Sequence, residues 1–281
     1  MKKVVSVLVV LVLLAGLAFI LYPTVANLWN TMHHSQMVSH FLNNVSTLKQ
    51  EEYDRIISDA RNYNDKMAKT GIRKYVLSED ELNKYEGLLN INGDGMMGYL
   101  DIPSINVKIP VYHGSDEAVL QFAAGHIEWS SLPVGGKGSH TVISGHRGVP
   151  SAKLLSNIDQ LKIGEYFILH ILNETYTYQV DDIKIVLPKE IEQIQIDPQM
   201  DYTTLVTCTP YGINTHRLLV RGHRVSNLTD EEYSQEKEKN NSYLFIVFAV
   251  AIITVVIVLC VILLIRRKKK RGEKYVKNQN E

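Results

Sequence analysis

Cysteine is nearly absent: the 281 residues hold two, Cys208 and Cys260. Cys260 falls inside a long apolar run, so the rest of the chain has a single thiol and no internal disulfide to form. Proline is sparse at 8 residues, which excludes collagen-like and proline-rich classes, and a hydrophobic share of 45% excludes a disordered chain. Net charge is also missing, with 30 basic against 30 acidic residues. The balance hides an asymmetry. Lys2 and Lys3 are the only charges in residues 1–26, and the tail 266–281 holds eight basic residues against Glu273 and Glu281. The middle therefore keeps 20 basic and 28 acidic groups, a net of −8. An acidic body of this kind excludes a nucleic-acid partner held through phosphates.

What is present in quantity is apolar sequence. Residues 4–22 run nineteen positions without a charge, and residues 243–265 run twenty-three. Each has about the 20 residues that a helix needs to cross a bilayer. The first run exceeds the roughly 7–15 residues of a signal-peptide core, which favours a retained anchor over cleavage near Thr24-Val25-Ala26. Lys2/Lys3 and the run Arg266–Arg271 flank the outer ends of the two spans, so both termini are expected in the cytoplasm. Residues 27–242 then form one extracellular domain, held at the cell membrane by both ends.

Within that domain, apolar positions from about 28 to 68 recur every three or four residues, with a break near 49–52, and predict helices between the membrane and the body. After Gly95 the pattern becomes short apolar runs between glycines and prolines. Seven or eight strands at this spacing predict an antiparallel barrel or sandwich, with one short helix near Leu154–Leu161. Asn90, Asn92, Asp94, Gly95 and Asp101 match the spacing of a calcium loop. Asn stands at its first position and Asp at its last, and the segment that follows reads as strand, so a turn is expected. No metal set is predicted, because the single available thiol has no second cysteine or His-x-x-x-His pair to join it.

The unpaired thiol invites nucleophilic chemistry, weighed against a plain buried cysteine. Thr203–Gly222 reads as a hairpin about Gly212, and symmetric pairing sets Cys208 opposite Arg217, Val206 opposite Leu219 and Leu205 opposite Val220. A guanidinium beside a thiol can steady a developing oxyanion. Among ten histidines, His146 is best placed as the proton partner, in the glycine-flanked turn Ser144–Gly148 at the end of an apolar strand. His126 ranks second. His216 ranks third, since its side chain points to the face opposite Arg217.

The stretches VISGHRGVPSAKLL and TLVTCTPYGINTHRLLVRGHR closely resemble the sortase family of Gram-positive bacteria, class C above all. GDGMMGYLDIPSINVKIPVYHG and LPVGGKGSHTVISGHRG resemble class C as well, and the second apolar span points the same way. The resemblance implies a mainly β fold, an eight-stranded sortase barrel with N-terminal helices flanked by two transmembrane helices. The implied layout is a cytoplasmic 1–3, span 4–22, helical stalk and candidate lid segment 23–94, catalytic barrel 95–226, linker 227–242, span 243–265 and basic cytoplasmic tail 266–281. It also implies a cofactor-free transpeptidase that cleaves LPXTG-like signals between Thr and Gly. Cys208 is then the nucleophile, His146 the general acid/base and Arg217 the transition-state group, with a pilin lysine amine as acceptor. Cell-wall anchoring and hydrolysis by an exported cysteine peptidase are the competing outcomes. One departure stands out: class C lids often carry an Asp-Pro-aromatic plug, and Gly71–Leu89 holds no proline. The family further implies that the loop near Pro188–Tyr202 borders the substrate groove.

Overall fold

A computed structural model of the protein describes residues 2–70, 76–148 and 153–238. The second apolar run 243–265 and the basic tail lie outside the described residues, as do residues 71–75 of the expected lid segment. Helix α1 (Lys2–Ser46) is continuous from the first apolar run into the outer domain, and among the described residues it is the one helix long and apolar enough to span a membrane. After a short break comes α2 (Gln50–Thr70), followed by α3 (Glu79–Glu86). Ser78 caps α3 in a reciprocal box with Glu81, satisfying backbone donors that would otherwise be orphaned at the helix start.

Eight strands follow: β1 (Met96–Ile102), β2 (Val107–His113), β3 (Ala124–His126), β4 (Ser139–Ser144), β5 (Tyr166–Ile171), β6 (Glu174–Val186), β7 (Asp201–Thr209) and β8 (His216–Arg224). They close into a barrel in the order β1-β2-β3-β4-β7-β8-β6-β5. The expected all-antiparallel arrangement is corrected at two seams, because β2 pairs with β3, and β4 with β7, in parallel. A parallel neighbour needs a crossover connection. Between β2 and β3 this includes the short helix α4 (Glu117–Leu120), and between β4 and β7 the chain first builds β5 and β6. The helix expected near 154–161 is only a 3₁₀ turn at Ile158–Gln160. A last helix, α5 (Asp230–Glu238), returns to the barrel, where the Tyr233 hydroxyl donates to Asp101 at 3.0 Å. Asp101 therefore sits in β1, bonded away from the glycine turn. Asn90 and Asp94 accept from the backbone of Gly95 and Met96, so the calcium-like spacing is a turn.

The helices add to the barrel's own core. Phe41 and Val45 of α1, Ile57 and Ala60 of α2, and Tyr85 of α3 are buried in one cluster with Met97, Leu100, Phe167 and Leu205. A smaller cluster lies on the outer side of the sheet, where Ile191 and Ile194 from the β6–β7 connection cover Val142, Val206 and Leu219.

Several histidines are buried in this scaffold. His126 is fully enclosed: its Nε2 donates to the Ser131 carbonyl at 2.8 Å and its Nδ1 meets the Tyr85 hydroxyl at 2.9 Å. Burial pulls its pKa down to about 3 and that of His170 to about 4, and lowers His34 and His113. These rings stay neutral in the fold, whereas the unfolded chain takes up protons below about 6.5, so stability falls as pH drops through that value. Between pH 7.5 and 5, His126 alone removes about 2 kcal/mol. Asp101 and Asp201, whose carboxyls burial pushes up, return part of this at lower pH. Urea denaturation of the outer domain at the two pH values is expected to show a clearly lower midpoint at pH 5. Equal midpoints contradict a neutral, enclosed His126.

Candidate active site

The site grows from three neighbouring strands. β7 and β8 pair with Cys208 opposite Arg217, Val206 opposite Leu219 and Leu205 opposite Val220, the register that hairpin symmetry predicts. Side-chain alternation sends Thr203, Leu205 and Thr207 into the barrel, where they are buried, and Thr204, Val206 and Cys208 to the outer face. β4 supplies the third wall. Its six parallel pairs with β7, from Ser139↔Asp201 to Ser144↔Val206, all join residues 62 apart in sequence. The offset persists beyond the end of β4. Thr207 Oγ1 donates to the Gly145 carbonyl at 2.7 Å, and Arg147 Nη1 donates to Thr209 Oγ1 at 3.2 Å. His146 lies between these two links, and the same 62-residue offset matches it to Cys208. Neighbouring strands lie about 4.8 Å apart, so Cys208 and Arg217 are adjacent across β7 and β8, and the offset sets the His146 turn at the matching position of the row beyond β4.

Each member has a defined setting. Cys208 is unpaired and half-buried. Arg217 Nη1 donates to the carbonyls of Asn214 at 3.2 Å and His216 at 3.1 Å, which holds the guanidinium at the mouth of the β7–β8 turn. That turn contains a cis Thr209–Pro210 bond and takes positive φ at Gly212 and Asn214. His146 Nε2 lies 3.2 Å from Glu117 Oε2, on α4. A carboxylate only accepts, so Nε2 carries the hydrogen in this contact and Nδ1 is the ring nitrogen that Glu117 leaves open. The close approach at Gly145 is sterically set: a Cβ there would come within 2.6 Å of the buried Leu155 side chain.

Of the other candidates, His126 belongs to the core network described above, away from the thiol row, and His216 pairs with Thr209 on the opposite face from Arg217. Two supporting residues escaped the sequence reading. Arg147, almost wholly buried, bonds Asp159 and Thr209 and lies 5.8 Å from the Tyr211 ring centre, tying the His146 loop to the chain just past Cys208. Its place within SGHRG was the available signal. Glu117 carried none, being 29 residues from His146.

The outer face also carries a groove of about 740 Å³, which none of His146, Cys208 and Arg217 lines. Leu219, Thr204 and Tyr202 form part of its floor, with Val186 and Lys184 of β6 and Ile194 of the β6–β7 connection among its walls. The segment Pro188–Tyr202 thus borders this groove. Among the described residues no group of three or more His, Cys, Asp or Glu side chains is arranged to hold a metal.

Residues 100–225 match the sortase domain family. Sortase C1 from Streptococcus agalactiae is 48% identical, with a TM-score of 0.67, and the match covers 69% of this chain and 100% of that one. Sortase C from Clostridium perfringens, solved with the C-terminal cell wall sorting motif, is 38% identical at a TM-score of 0.60, over 69% of this chain and 100% of that one. Sortase A of Bacillus anthracis is 31% identical over 46% of this chain and 60% of its own length, so this chain spans only part of that relative. Barrel and relatives together define a cysteine transpeptidase. The chain belongs to the sortase family, and within it to class C.

Proposed function

We propose that the protein cleaves an LPXTG-like sorting signal between Thr and Gly and transfers the acyl group to a lysine amine of the next pilin subunit. The observation that carries the reading is the Cys208–Arg217 pair of β7 and β8, with His146 two residues past the end of β4 at the same 62-residue offset from Cys208 that registers β4 on β7. The Cys208 thiolate attacks the threonine carbonyl carbon. Arg217 donates to the oxygen as it gains charge, and the C–N bond breaks as His146 protonates the departing glycine amine. The thioester is resolved when His146 takes a proton from the incoming amine, which attacks the same carbonyl and expels the thiolate. No cofactor is required. The pilin assignment is supported by class C relatives, among them a Streptococcus pneumoniae sortase C whose structure is described in terms of pilin substrate specificity.

In this reading α1 anchors the enzyme through 4–22 with its N-terminus in the cytoplasm, 243–265 forms a second anchor ahead of a cytoplasmic basic tail, and the barrel is extracellular. Residues 27–242, incubated with an LPXTG-type peptide and a pilin domain, are expected to yield an isopeptide-linked product by intact mass spectrometry. A thioester that resolves only onto a glycine amine would replace pilin assembly with cell-wall anchoring. One that resolves only to water would make the protein a peptidase.

Glu117 presents a milder expectation. Its carboxylate is largely exposed, and ion pairs of that kind contribute about 0–1 kcal/mol. Glu117→Gln is therefore expected to lower kcat/KM by no more than about fivefold. A much larger loss in steady-state transpeptidation would assign Glu117 a direct part in the chemistry.

A further inference from the structure

The β4–β7 ladder runs out one residue short of His146. Gly145 N donates to the Val206 carbonyl at 3.1 Å, and Thr207 Oγ1 donates to the Gly145 carbonyl. Past Gly145, the one hydrogen bond that joins this turn to β7 among the described residues runs from Arg147 Nη1 to Thr209 Oγ1. Arg147 follows His146 by one residue, and Thr209 follows Cys208 by one, so this bond keeps the 62-residue offset of the strand pairs. The other side of the guanidinium is held as well. Nη2 donates to Asp159 Oδ2, on the turn where Ile158 is fully buried in the core. Gly148 N donates to Ser156 Oγ at 3.1 Å, which ties the end of the His146 turn to the same segment.

Arg147 is a poor choice for stability alone. Its side chain is 9% exposed against 43% for Asp159, and its buried Nε has no hydrogen-bond partner among the described residues. An unsatisfied buried donor costs about 1–3 kcal/mol. Replacing a buried charge and its partner by apolar groups of similar volume is often neutral or stabilising. What the guanidinium does supply is direction. Its planar fork donates along fixed lines to a carboxylate on one side and a hydroxyl on the other, which neither lysine nor an apolar side chain can do. The demand that Arg147 meets is therefore one of geometry, at the point where backbone pairing between the two strands has ended.

We propose that Arg147 is a positioning residue for the reaction: it locks the turn carrying His146 to the end of β7, and so sets the imidazole against the Cys208 thiol. The inference rests on the roles given to His146 and Cys208 in the proposed function. A displacement of about 1 Å in such a pair can cost about 10²-fold in rate. Arg147→Met is accordingly expected to lower kcat by about 10–10²-fold with KM nearly unchanged. Its unfolding midpoint is expected to stay level or rise, the opposite of what losing a structural brace would do.

A thiol-reactivity profile tests the geometry without any substrate. Full-length protein in detergent carries Cys260→Ala, which leaves Cys208 as its one thiol. Alkylation by iodoacetamide is followed by intact mass spectrometry across the pH range in which thiols and imidazoles ionise. The parent profile is expected to differ from that of His146→Ala, and Arg147→Met to move it onto the His146→Ala profile. Thr209→Val cuts the same bond and removes no charge, so it should move the profile in the same direction. Arg147→Lys keeps the charge and loses the fork, and should fall between. An Arg147→Met protein with the parent profile and kcat would overturn the proposal and leave the His146–Cys208 pair intact. Arg147→Lys matching the parent while Thr209→Val changes nothing would reduce Arg147 to a nearby charge. A lowered unfolding midpoint with an unchanged Thr209→Val profile would make it a brace of the fold. A parent profile equal to that of His146→Ala would overturn the proposal together with the pair itself. Alkylation needs no sorting signal, so a failure of the transpeptidation reading alone would leave these profiles standing.

Discussion

Cys208→Ala is expected to abolish the covalent intermediate: wild-type protein mixed with an LPXTG-type peptide gains the mass of the acyl fragment, and the variant gains nothing. Turnover should fall by more than about 10⁴-fold, since losing a nucleophile leaves only binding and charge stabilisation. The fold should survive. Cys208 is half-buried on the outer face, and its inward neighbours Leu205 and Thr207 keep their contacts with the core. Peptide affinity should therefore change little. Cys208→Ser tests the chemistry more sharply, because it keeps a nucleophilic atom in place but a hydroxyl ionises far less readily than a thiol, and it too is expected to be nearly inactive. An adduct persisting in Cys208→Ala, or mapping to another residue, would remove Cys208 from its role.

The second large effect belongs to Arg217. If its guanidinium meets charge that develops only as the tetrahedral intermediate forms, Arg217→Ala should lower kcat by about 10²–10³ with KM nearly unchanged, the loss seen when one oxyanion donor is removed. Arg217→Lys keeps the charge but loses the planar fork, and should fall between. Arg217 already donates to the carbonyls of Asn214 and His216, so the wild-type side chain is held in position before substrate arrives. A rise in KM at constant kcat would instead make Arg217 a ground-state binding group, with the transition-state donor lying elsewhere.

The wild-type enzyme holds these groups on elements of unequal legibility. The β7–β8 pairing of Cys208 with Arg217 is local, and a tight turn about Gly212 admits few registers, so counting residues recovered it. The β4–β7 pairing joins residues 62 apart across β5 and β6, and nothing in either strand's own pattern announces a parallel partner. Alternation of apolar residues reports which face is buried; it is the same whichever way the neighbour runs. That is why the antiparallel expectation failed at β2–β3 and β4–β7. Helix α3 was overlooked for a different reason. It is short, and its one clear signature, the Ser78–Glu81 capping box, stands in an otherwise mixed stretch.

The sequence by itself determined the chemical inventory: a single available thiol, a hairpin that sets an arginine opposite it, a glycine-flanked histidine, and an apolar run long enough to anchor one end. Each is a property of residue type or of near neighbours in the chain. Only the tertiary structure decided that the turn holding His146 is tied to β7 at Thr207 and Thr209, that His126 is sealed in the core with Tyr85, that Arg147 bonds Thr209 and Glu117 meets His146, and that α1 meets the barrel within two turns of the apolar run. Those facts depend on contacts between segments tens of residues apart. They are selected by closing the barrel and burying its core, and no local pattern records them.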